Sequence, residues 1–234
     1  MVDAAFVARE FHGSAGSLPY QFLPNPTPDP QPLVVFLHGA GERGTDNVAQ
    51  LRHVVQRFAD PAIRTAFPCQ VVAPQCPPGL RWVERDWSAP RHDFPAVPSA
   101  PQALLLALIQ KLTEAPTVDR DRIYLMGLSM GGYGAWDLIA RQPGLFAAAI
   151  PICGGGDEAL AQRLAQLPIW AFHGTNDTVV PVSRSRNMVT AIRAVGGKVR
   201  YTEYAGTGHD CWTPASREPD LLPWLFAQTR QVQA

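Results

Sequence analysis

The sequence predicts an α/β fold in which a mostly parallel, twisted sheet is covered by helices on both faces. Short, continuous apolar runs recur along the chain, as strands buried on both faces require, and helical segments lie between most of them. The runs fall at residues 33–38, 70–73, 121–127, 147–152, 169–173 and 198–204, after two shorter edge strands near 4–11 and 18–23. Reactive groups in such sheets gather at the carboxyl ends of the strands.

The composition indicates one globular domain spanning residues 1–234, with 46% hydrophobic residues to build its core. Lys and Arg (20) balance Asp and Glu (20), so we expect neither nucleic acid nor an anionic membrane as a partner. Residues 1–20 show no apolar run behind a basic start, which predicts a soluble, cytoplasmic protein. A secreted or periplasmic location stays open if a signal segment was removed. Oligomeric state is not indicated.

Several local signals refine the predicted elements. Proline-rich residues 24–32 form a connector between two strands, because proline cannot occupy a helix interior or a central strand. Residues 102–112 are apolar nearly all round and predict a buried crossover helix, with Ser99 as N-cap of a capping box. Residues 51–59 also have helical spacing. The four cysteines are too scattered for a disulfide framework and most of them are expected in the core, although Cys69 and Cys76 could pair in an oxidising compartment.

Ser129 is the candidate nucleophile. It is the centre of a G-x-S-x-G pentapeptide, Gly127 to Gly131, that lies between a predicted strand and a predicted helix. This strand-to-helix turn holds the serine in a strained conformation that exposes its Oγ, and the two glycines remove Cβ atoms that would clash. The context makes the pentapeptide far more informative than the pattern alone.

Asp177 and His209 are the candidate partners of Ser129. A serine hydroxyl needs a base to take its proton, and the base needs a carboxylate to orient it. Asp177 follows the strand at 169–173, and His209 lies in a glycine-rich loop beyond the strand at 198–204. The order Ser, Asp, His is the one expected of α/β-hydrolases.

Two other carboxylates are alternatives for the acid. Asp210 is adjacent to His209, so its side chain projects differently and would not easily reach the imidazole Nδ1. Asp157 follows the strand at 147–152, where some hydrolases of this fold carry their acid. Asp177 is preferred over both.

The backbone N–H groups of Ala40 and Met130 are the candidate oxyanion hole. The segment 37–41 (L-H-G-A-G) follows a central strand, and Met130 follows the nucleophile. Gly41 is the alternative to Ala40, and a candidate substrate contact.

Residues 39–44 also match G-x-G-x-x-G, the pattern of a dinucleotide-binding loop. In such a site the acidic residue that binds the ribose ends the next strand. Here the acidic residue that follows, Asp60, ends a helical segment instead, which argues against a nucleotide. The histidines show no metal-ligand spacing such as H-E-x-x-H. We therefore expect neither a nucleotide, a metal nor another cofactor.

Taken together, the motifs resemble the α/β-hydrolase superfamily from about Leu18 onward, and in particular bacterial carboxylesterases and predicted peptidases. That group is similar to polyhydroxybutyrate depolymerases and to feruloyl and acetyl xylan esterases. The resemblance rests on segments 37–44, 73–77, 127–136, 173–181 and 206–212. It implies an α/β-hydrolase fold and a serine carboxylesterase that forms an acyl-enzyme on a small-molecule ester. The alternatives are a serine peptidase of the same fold and a protein of that fold that binds a ligand without turning it over.

The loops predict the size of the substrate. About 15 residues separate the strands that end near Ile152 and begin near Ile169, which leaves no room for a large helical lid. The loop 75–98 is the predicted wall of the pocket, and Trp82 and Trp87 are its candidate substrate contacts. Short-chain or aromatic esters are the expected substrates.

Overall fold

A computed structural model describes residues 5–25, 27 and 29–230, and these residues build one eight-stranded sheet. The strands are β1 (Val7–Gly13), β2 (Gly16–Leu23), β3 (Gln31–Leu37), β4 (Gln70–Pro74), β5 (Val118–Leu128), β6 (Ala148–Ile152), β7 (Ile169–Gly174) and β8 (Val199–Tyr204). Their order across the sheet is β1-β2-β4-β3-β5-β6-β7-β8. β1 and β2 pair antiparallel and β2 joins β4 antiparallel, whereas all later pairings are parallel. The predicted mostly parallel sheet is confirmed.

The predicted strands all form, with shifted ends. The first was placed at 4–11, but β1 runs from Val7 to Gly13, and residue 4 lies outside the described residues. The strand β5 begins three residues before the predicted Asp121. The proline-rich connector joins β2 to β3 as predicted, although its residues 26 and 28 are not described.

The described part of the chain also forms seven α-helices and four 3₁₀ helices, of which α6 and α7 follow the last strand. The α-helices are α1 (Pro61–Ala66), α2 (Ala100–Thr113), α3 (Met130–Arg141), α4 (Ala161–Leu164), α5 (Ser183–Ala194), α6 (Trp212–Ser216) and α7 (Leu221–Phe226). The 3₁₀ helices are Ala40–Glu42, Ala49–Leu51, His53–Ala59 and Glu158–Leu160. Within the described part of the chain, no helix is both long and apolar enough to cross a membrane.

The predicted helix at 51–59 is wrong in type. Two 3₁₀ helices occupy this segment, because Arg52 is extended and His53 takes a positive φ of 64°, which together interrupt any continuous α-helix. Asp60 then begins α1: its carboxylate accepts hydrogen bonds from the N–H groups of Ala62 and Ile63.

The predicted helix at 102–112 is confirmed as α2, and Ser99 is its N-cap. The Ser99 hydroxyl accepts a hydrogen bond from the Gln102 N–H at 3.3 Å. The returning half of the capping box does not form, since the Gln102 amide donates to the Gly134 carbonyl instead. This bond ties α2 to α3, so the glutamine contributes to packing between helices rather than to the cap.

Helices cover both faces of the sheet. Alternate residues of β3 show this, because Leu33, Val35 and Leu37 pack in the cluster that contains α2, α3 and α5. Val34 and Phe36 pack in the opposite cluster with α7 and the 3₁₀ helix at 53–59. Burying each such side chain contributes about 1.5–3 kcal/mol, so β3 anchors both layers.

The interval between β6 and β7 holds only the 3₁₀ helix at 158–160 and the four-residue α4. The predicted absence of a large lid insertion in this interval is confirmed. All four cysteines are buried and free, so the alternative pairing of Cys69 with Cys76 does not form.

Candidate active site

Ser129 lies at the sharp turn between β5 and α3, with backbone angles φ 53° and ψ −118°. Its N–H donates to the Ile152 carbonyl at 2.9 Å, which fixes the turn to the end of β6. The flanking glycines are required, because a Cβ on Gly127 would lie 2.1 Å from the Gly131 carbonyl oxygen, and one on Gly131 would lie 2.1 Å from that of Leu37. The predicted strained turn is present.

Ser129, His209 and Asp177 form a continuous chain of hydrogen bonds. The Ser129 Oγ lies 2.8 Å from His209 Nε2, and His209 Nδ1 lies 2.7 Å from Asp177 Oδ2. The Asp177 side chain is fully buried, while that of His209 is 20% exposed. A buried acid thus orients an imidazole whose far nitrogen faces the nucleophile.

The loops after β7 and β8 meet closely enough to bring these side chains together. The Asn176 N–H donates to the Thr207 carbonyl, and the Thr175 N–H donates to that of Tyr204. A Cβ on Gly174 would lie 2.3 Å from the Gly208 carbonyl oxygen, so only glycine permits this approach.

Asp177 is held ionised by its surroundings. Burial acts to raise its pKa, but hydrogen bonds from His173, His209 and the N–H groups of Val180 and Val179 outweigh burial and lower the pKa well below its usual range. His173 Nε2 lies 3.2 Å from Asp177 Oδ2. This second histidine is not predicted from the sequence, although its place at the end of β7, four residues before Asp177, is a local signal for it.

The two alternative acids have other roles. The Asp210 carboxylate accepts from the Thr213 N–H and hydroxyl. The Asp157 carboxylate accepts from the N–H groups of Phe94 and Ala159. Neither carboxylate is hydrogen-bonded to His209, so the geometry favours Asp177 as the acid that orients the imidazole.

His38 fixes the loop that carries Ala40 and Gly41. The Cys76 N–H donates to His38 Nε2 at 2.9 Å, so the ring proton resides on Nδ1 and donates to the Gly39 carbonyl at 2.6 Å. Burial lowers the pKa of His38 to about 4, which keeps the ring neutral. From the sequence, His38 is only a member of the loop motif, and its positioning role is not predicted.

The candidate oxyanion donors lie on either side of Ser129. Gly39 approaches so closely that a Cβ there would lie 3.6 Å from the Ser129 Cβ, which brings the following Ala40 beside the nucleophile. Met130 is the first residue of α3, where N–H groups have no acceptor within the helix. Met130 is buried, so its backbone rather than its side chain is the part that serves the site.

We expect the stability of the protein to fall as the pH falls from 7 to 5, in part through His38. Its pKa is about 4 in the folded protein against a usual 6.5, so the unfolded chain binds more protons in this window and stability is lost on acidification. His38 alone accounts for about 2 kcal/mol of the loss. Thermal melts of wild type and His38→Gln at both pH values measure it.

Gln at position 38 can still accept from the Cys76 N–H but does not titrate. The variant should be less stable than wild type at pH 7, and it should lose less stability between pH 7 and pH 5. The titrations of His92 and Asp177 remain in both proteins and cancel. An equal loss in both would contradict the role of His38.

The Ser129 hydroxyl opens into a cleft of about 300 Å³. Gly41 and Trp87 line it, as predicted for substrate contacts. The complete lining consists of Gly39, Ala40, Gly41, Glu42, His53, Trp87, Leu128, Ser129, Val179, His209 and Trp212. We call this the serine cleft.

Trp87 is positioned by buried polar side chains beneath the loop 75–98. The Tyr133 hydroxyl donates to the Trp87 carbonyl at 2.9 Å. The fully buried Arg184 donates to the Pro90 carbonyl at 2.7 Å and lies 2.8 Å from His92 Nδ1. These contacts make the loop a fixed wall of the cleft.

Trp82 is not a substrate contact, contrary to the prediction. It is completely buried, its indole N–H donates to the His38 carbonyl at 3.1 Å, and its ring packs against Gly134 of α3. Trp82 therefore supports the loop of Ala40 from inside the core, and Trp87 alone of the two reaches the cleft.

Trp212 and His53 line the serine cleft and were missed from the sequence. The Trp212 ring meets the His209 ring edge to face, with centroids 5.3 Å apart, and lies 5.5 Å from the His53 ring. His53 Nε2 lies 3.4 Å from the carboxylate of Glu42, which is nearly buried. The positive φ of His53 could not be read from its sequence context.

Cys153 is buried beside Asp177 and His209, and its φ is also positive, at 40°. Its Sγ, an Asp177 carboxylate oxygen and a His209 ring nitrogen all lie within 4.8 Å of one another. Burial is the main cause that raises the pKa of the Cys153 thiol well above its usual value, and the Cys211 thiol beside it raises the pKa further. The Asp177 and His209 members of this cluster are already hydrogen-bonded to each other at 2.7 Å, so their proximity is explained by the chain that ends at Ser129.

Comparisons with known proteins agree with this architecture. A family model described as phospholipase/carboxylesterase matches residues 19–215. A crystal structure of a thermostable esterase has a TM-score of 0.88 at 42% identity, covering 96% of this chain and 63% of that one. A structure described as a ferulic acid esterase has a TM-score of 0.70 at 17% identity, covering 96% and 98% of the two chains.

Among curated proteins, "Putative esterase NocK" of Nocardia uniformis subsp. tsuyamanensis is 27% identical over 190 residues, which cover 77% of this chain and 51% of that protein. The chain thus spans about half the length of this relative. The sheet of the present chain and the match over its residues 19–215 together establish its family. The chain belongs to the phospholipase/carboxylesterase family of the α/β-hydrolase fold.

Proposed function

We propose that this protein is a serine carboxylesterase that hydrolyses short-chain or aromatic esters through an acyl-enzyme. The observation that carries the proposal is the hydrogen-bond chain from Ser129 Oγ through His209 to the buried Asp177. Family membership and the 42% identity to a thermostable esterase support it.

In the acylation step, His209 Nε2 takes the hydroxyl proton of Ser129 as Oγ attacks the ester carbonyl carbon. The ionised Asp177 stabilises the imidazolium that results. The N–H groups of Ala40 and Met130 donate to the oxyanion of the tetrahedral intermediate. His209 then returns the proton to the alcohol oxygen, the carbon–oxygen bond breaks, and the alcohol leaves.

In the deacylation step, a water molecule takes the place of the alcohol. His209 removes its proton as the water oxygen attacks the acyl carbonyl carbon. The second tetrahedral intermediate then collapses: the bond between the acyl carbon and Ser129 Oγ breaks, His209 returns the proton to Oγ, and the acid leaves. These steps use only side-chain and backbone groups of this chain, so we propose that no cofactor takes part.

Labelling with a fluorophosphonate tests the nucleophile, and mass spectrometry should locate the adduct on Ser129. Parallel assays with p-nitrophenyl acetate and with the matching p-nitroanilide then separate an esterase from a peptidase. We expect turnover of the ester to exceed that of the anilide. Efficient anilide or peptide cleavage would favour the peptidase alternative, and binding without labelling would favour a protein that does not turn over.

We expect p-nitrophenyl acetate and butyrate to have kcat/KM values at least about tenfold above that of the laurate ester. The serine cleft has a volume of about 300 Å³ and is walled by Trp87 and Trp212, without a lid insertion between β6 and β7. A chain-length series from acetate to laurate, measured below and above the micellar threshold, checks this. A maximum at laurate, or a jump in rate at the threshold, would instead indicate a lipase.

A further inference from the structure

A second cleft adjoins the serine cleft. It has a volume of about 460 Å³ and shares His53 and Trp212 with the serine cleft as a common wall. Its complete lining consists of His53, Val54, Arg57, Trp212, Thr213, Ser216 and Arg217. We call it the arginine cleft. The two clefts therefore lie side by side at His53 and Trp212, and the arginine cleft is the larger of the two.

The lining of the arginine cleft is cationic. Arg57 and Arg217 both line it, and no aspartate or glutamate does. Among the described residues, neither arginine has a carboxylate oxygen within 4.0 Å. Six arginines of the described chain do have a carboxylate partner, such as the buried Arg184 with Glu158 at 3.3 Å. The two guanidinium groups are thus free to bind an anion.

Two acidic side chains that contact residues of this lining are already engaged by them. The Glu42 carboxylate faces His53 Nε2 at 3.4 Å, and the Asp210 carboxylate is bound by the Thr213 N–H and hydroxyl. Neither lines the arginine cleft. Val54, which is 4% exposed, and the Trp212 ring give the cleft an apolar part as well. The lining suits a flat, apolar group that ends in a negative charge.

The arginine cleft lies toward the alcohol part of the substrate. In the mechanism proposed above, His209 Nε2 returns a proton to the leaving alcohol oxygen, so the alcohol leaves beside this ring. The Trp212 ring meets the His209 ring edge to face, with ring centroids 5.3 Å apart, and Trp212 also forms a wall of the arginine cleft. A group attached to the alcohol oxygen is therefore directed past Trp212.

We propose that the arginine cleft binds an anionic group, a carboxylate or an equivalent acid, carried by the alcohol part of the ester substrate. The proposal rests on the esterase function above and narrows its substrate class. Arg57 and Arg217 donate charge-assisted hydrogen bonds to the anion, and Trp212 stacks on the body of the alcohol. Aryl esters of hydroxybenzoate type have this shape and charge.

Matched substrates test the proposal. The charged esters are 4-carboxyphenyl acetate and the longer 4-(2-carboxyethyl)phenyl acetate, and the neutral partners are the corresponding carboxamides. The measured quantity is the ratio of kcat/KM for the acid to that for its amide, in wild type and in Arg57→Gln/Arg217→Gln. Because each ratio is compared between proteins, differences in leaving-group reactivity cancel. Arg52→Gln, an exposed arginine of the same segment that lines neither cleft, is the control.

We expect this ratio to fall about three- to tenfold in the double variant for at least one of the two acids, because KM for the acid rises. The ratio should stay unchanged in Arg52→Gln. The ratio in wild type should also fall in 0.5 M KCl, since salt screens the arginines. An unchanged ratio for both acids would overturn the proposal. A second series, p-nitrophenyl hydrogen glutarate against its amide, tests the acyl side, and a loss confined to that series would overturn the placement on the alcohol side.

A binding measurement separates this proposal from the proposed function. Calorimetry of 4-hydroxybenzoate and 4-hydroxybenzamide with Ser129→Ala requires no turnover. Tighter binding of the acid, lost in the triple variant with Arg57→Gln and Arg217→Gln, supports the arginine cleft even if every ester proves inert, in which case only the proposed function fails. Equal binding of acid and amide alongside normal turnover of neutral esters would overturn the arginine cleft alone.

Discussion

Ser129→Ala should lower kcat for p-nitrophenyl butyrate by on the order of 10⁴-fold or more. The change removes the atom that forms the acyl-enzyme, and His209 then has only water to activate. The fold should persist, because the Ser129 side chain contributes one partly exposed hydroxyl and no core packing. Alanine also occupies the positive φ of 53° about as readily as serine does.

Ser17→Ala, an exposed serine on the edge-proximal strand β2, is the matched control and should match wild type in rate and melting temperature. Ser129→Ala should also fail to react with the fluorophosphonate. Residual activity within tenfold of wild type, with intact folding, would move the nucleophile to another residue.

The sequence predicted the fold well because its signals are local and periodic. Continuous apolar runs identify strands such as β3 and β7, whose residues are all buried whichever face they point to. The segment at 51–59 has the same apolar spacing as a helix, yet a positive φ at His53 converts it to two 3₁₀ helices. The contacts of the His53 side chain are with Glu42 and Trp212, which are distant in sequence, so nothing local to the segment indicates this φ.

The candidate site was predictable to the extent that its residues follow strands. Ser129, Asp177 and His209 follow the ends of β5, β7 and β8 by one, three and five residues, so the parallel sheet brings them to one edge. The walls of the clefts were not predictable in this way. Trp82 and Trp87 lie in the same loop, and contacts with residues distant in sequence, Gly134 and His38, bury Trp82.

Asp177→Asn should lower kcat by about 10⁴-fold, with a smaller change in KM. Asp177 Oδ1 accepts from the N–H groups of Val179 and Val180, so the oxygen of an asparagine is held at that position. Its NH₂ group then faces His209 Nδ1 and donates to it. The imidazole is forced to carry its proton on Nε2, where it cannot accept the proton of Ser129. Rotating the amide instead would set NH₂ against the two backbone N–H groups.

Asp210→Asn is the matched control, since it is the same chemical change one residue from the imidazole. Asparagine there keeps an oxygen for the Thr213 N–H and gives up at most the bond from the Thr213 hydroxyl, so kcat should fall less than about tenfold. Both variants are compared by kcat at pH 7 and by thermal melts, which reveal any loss from the buried Asp177 contacts. If Asp210→Asn is the slower enzyme and Asp177→Asn retains most of its rate, the acid that orients His209 is Asp210.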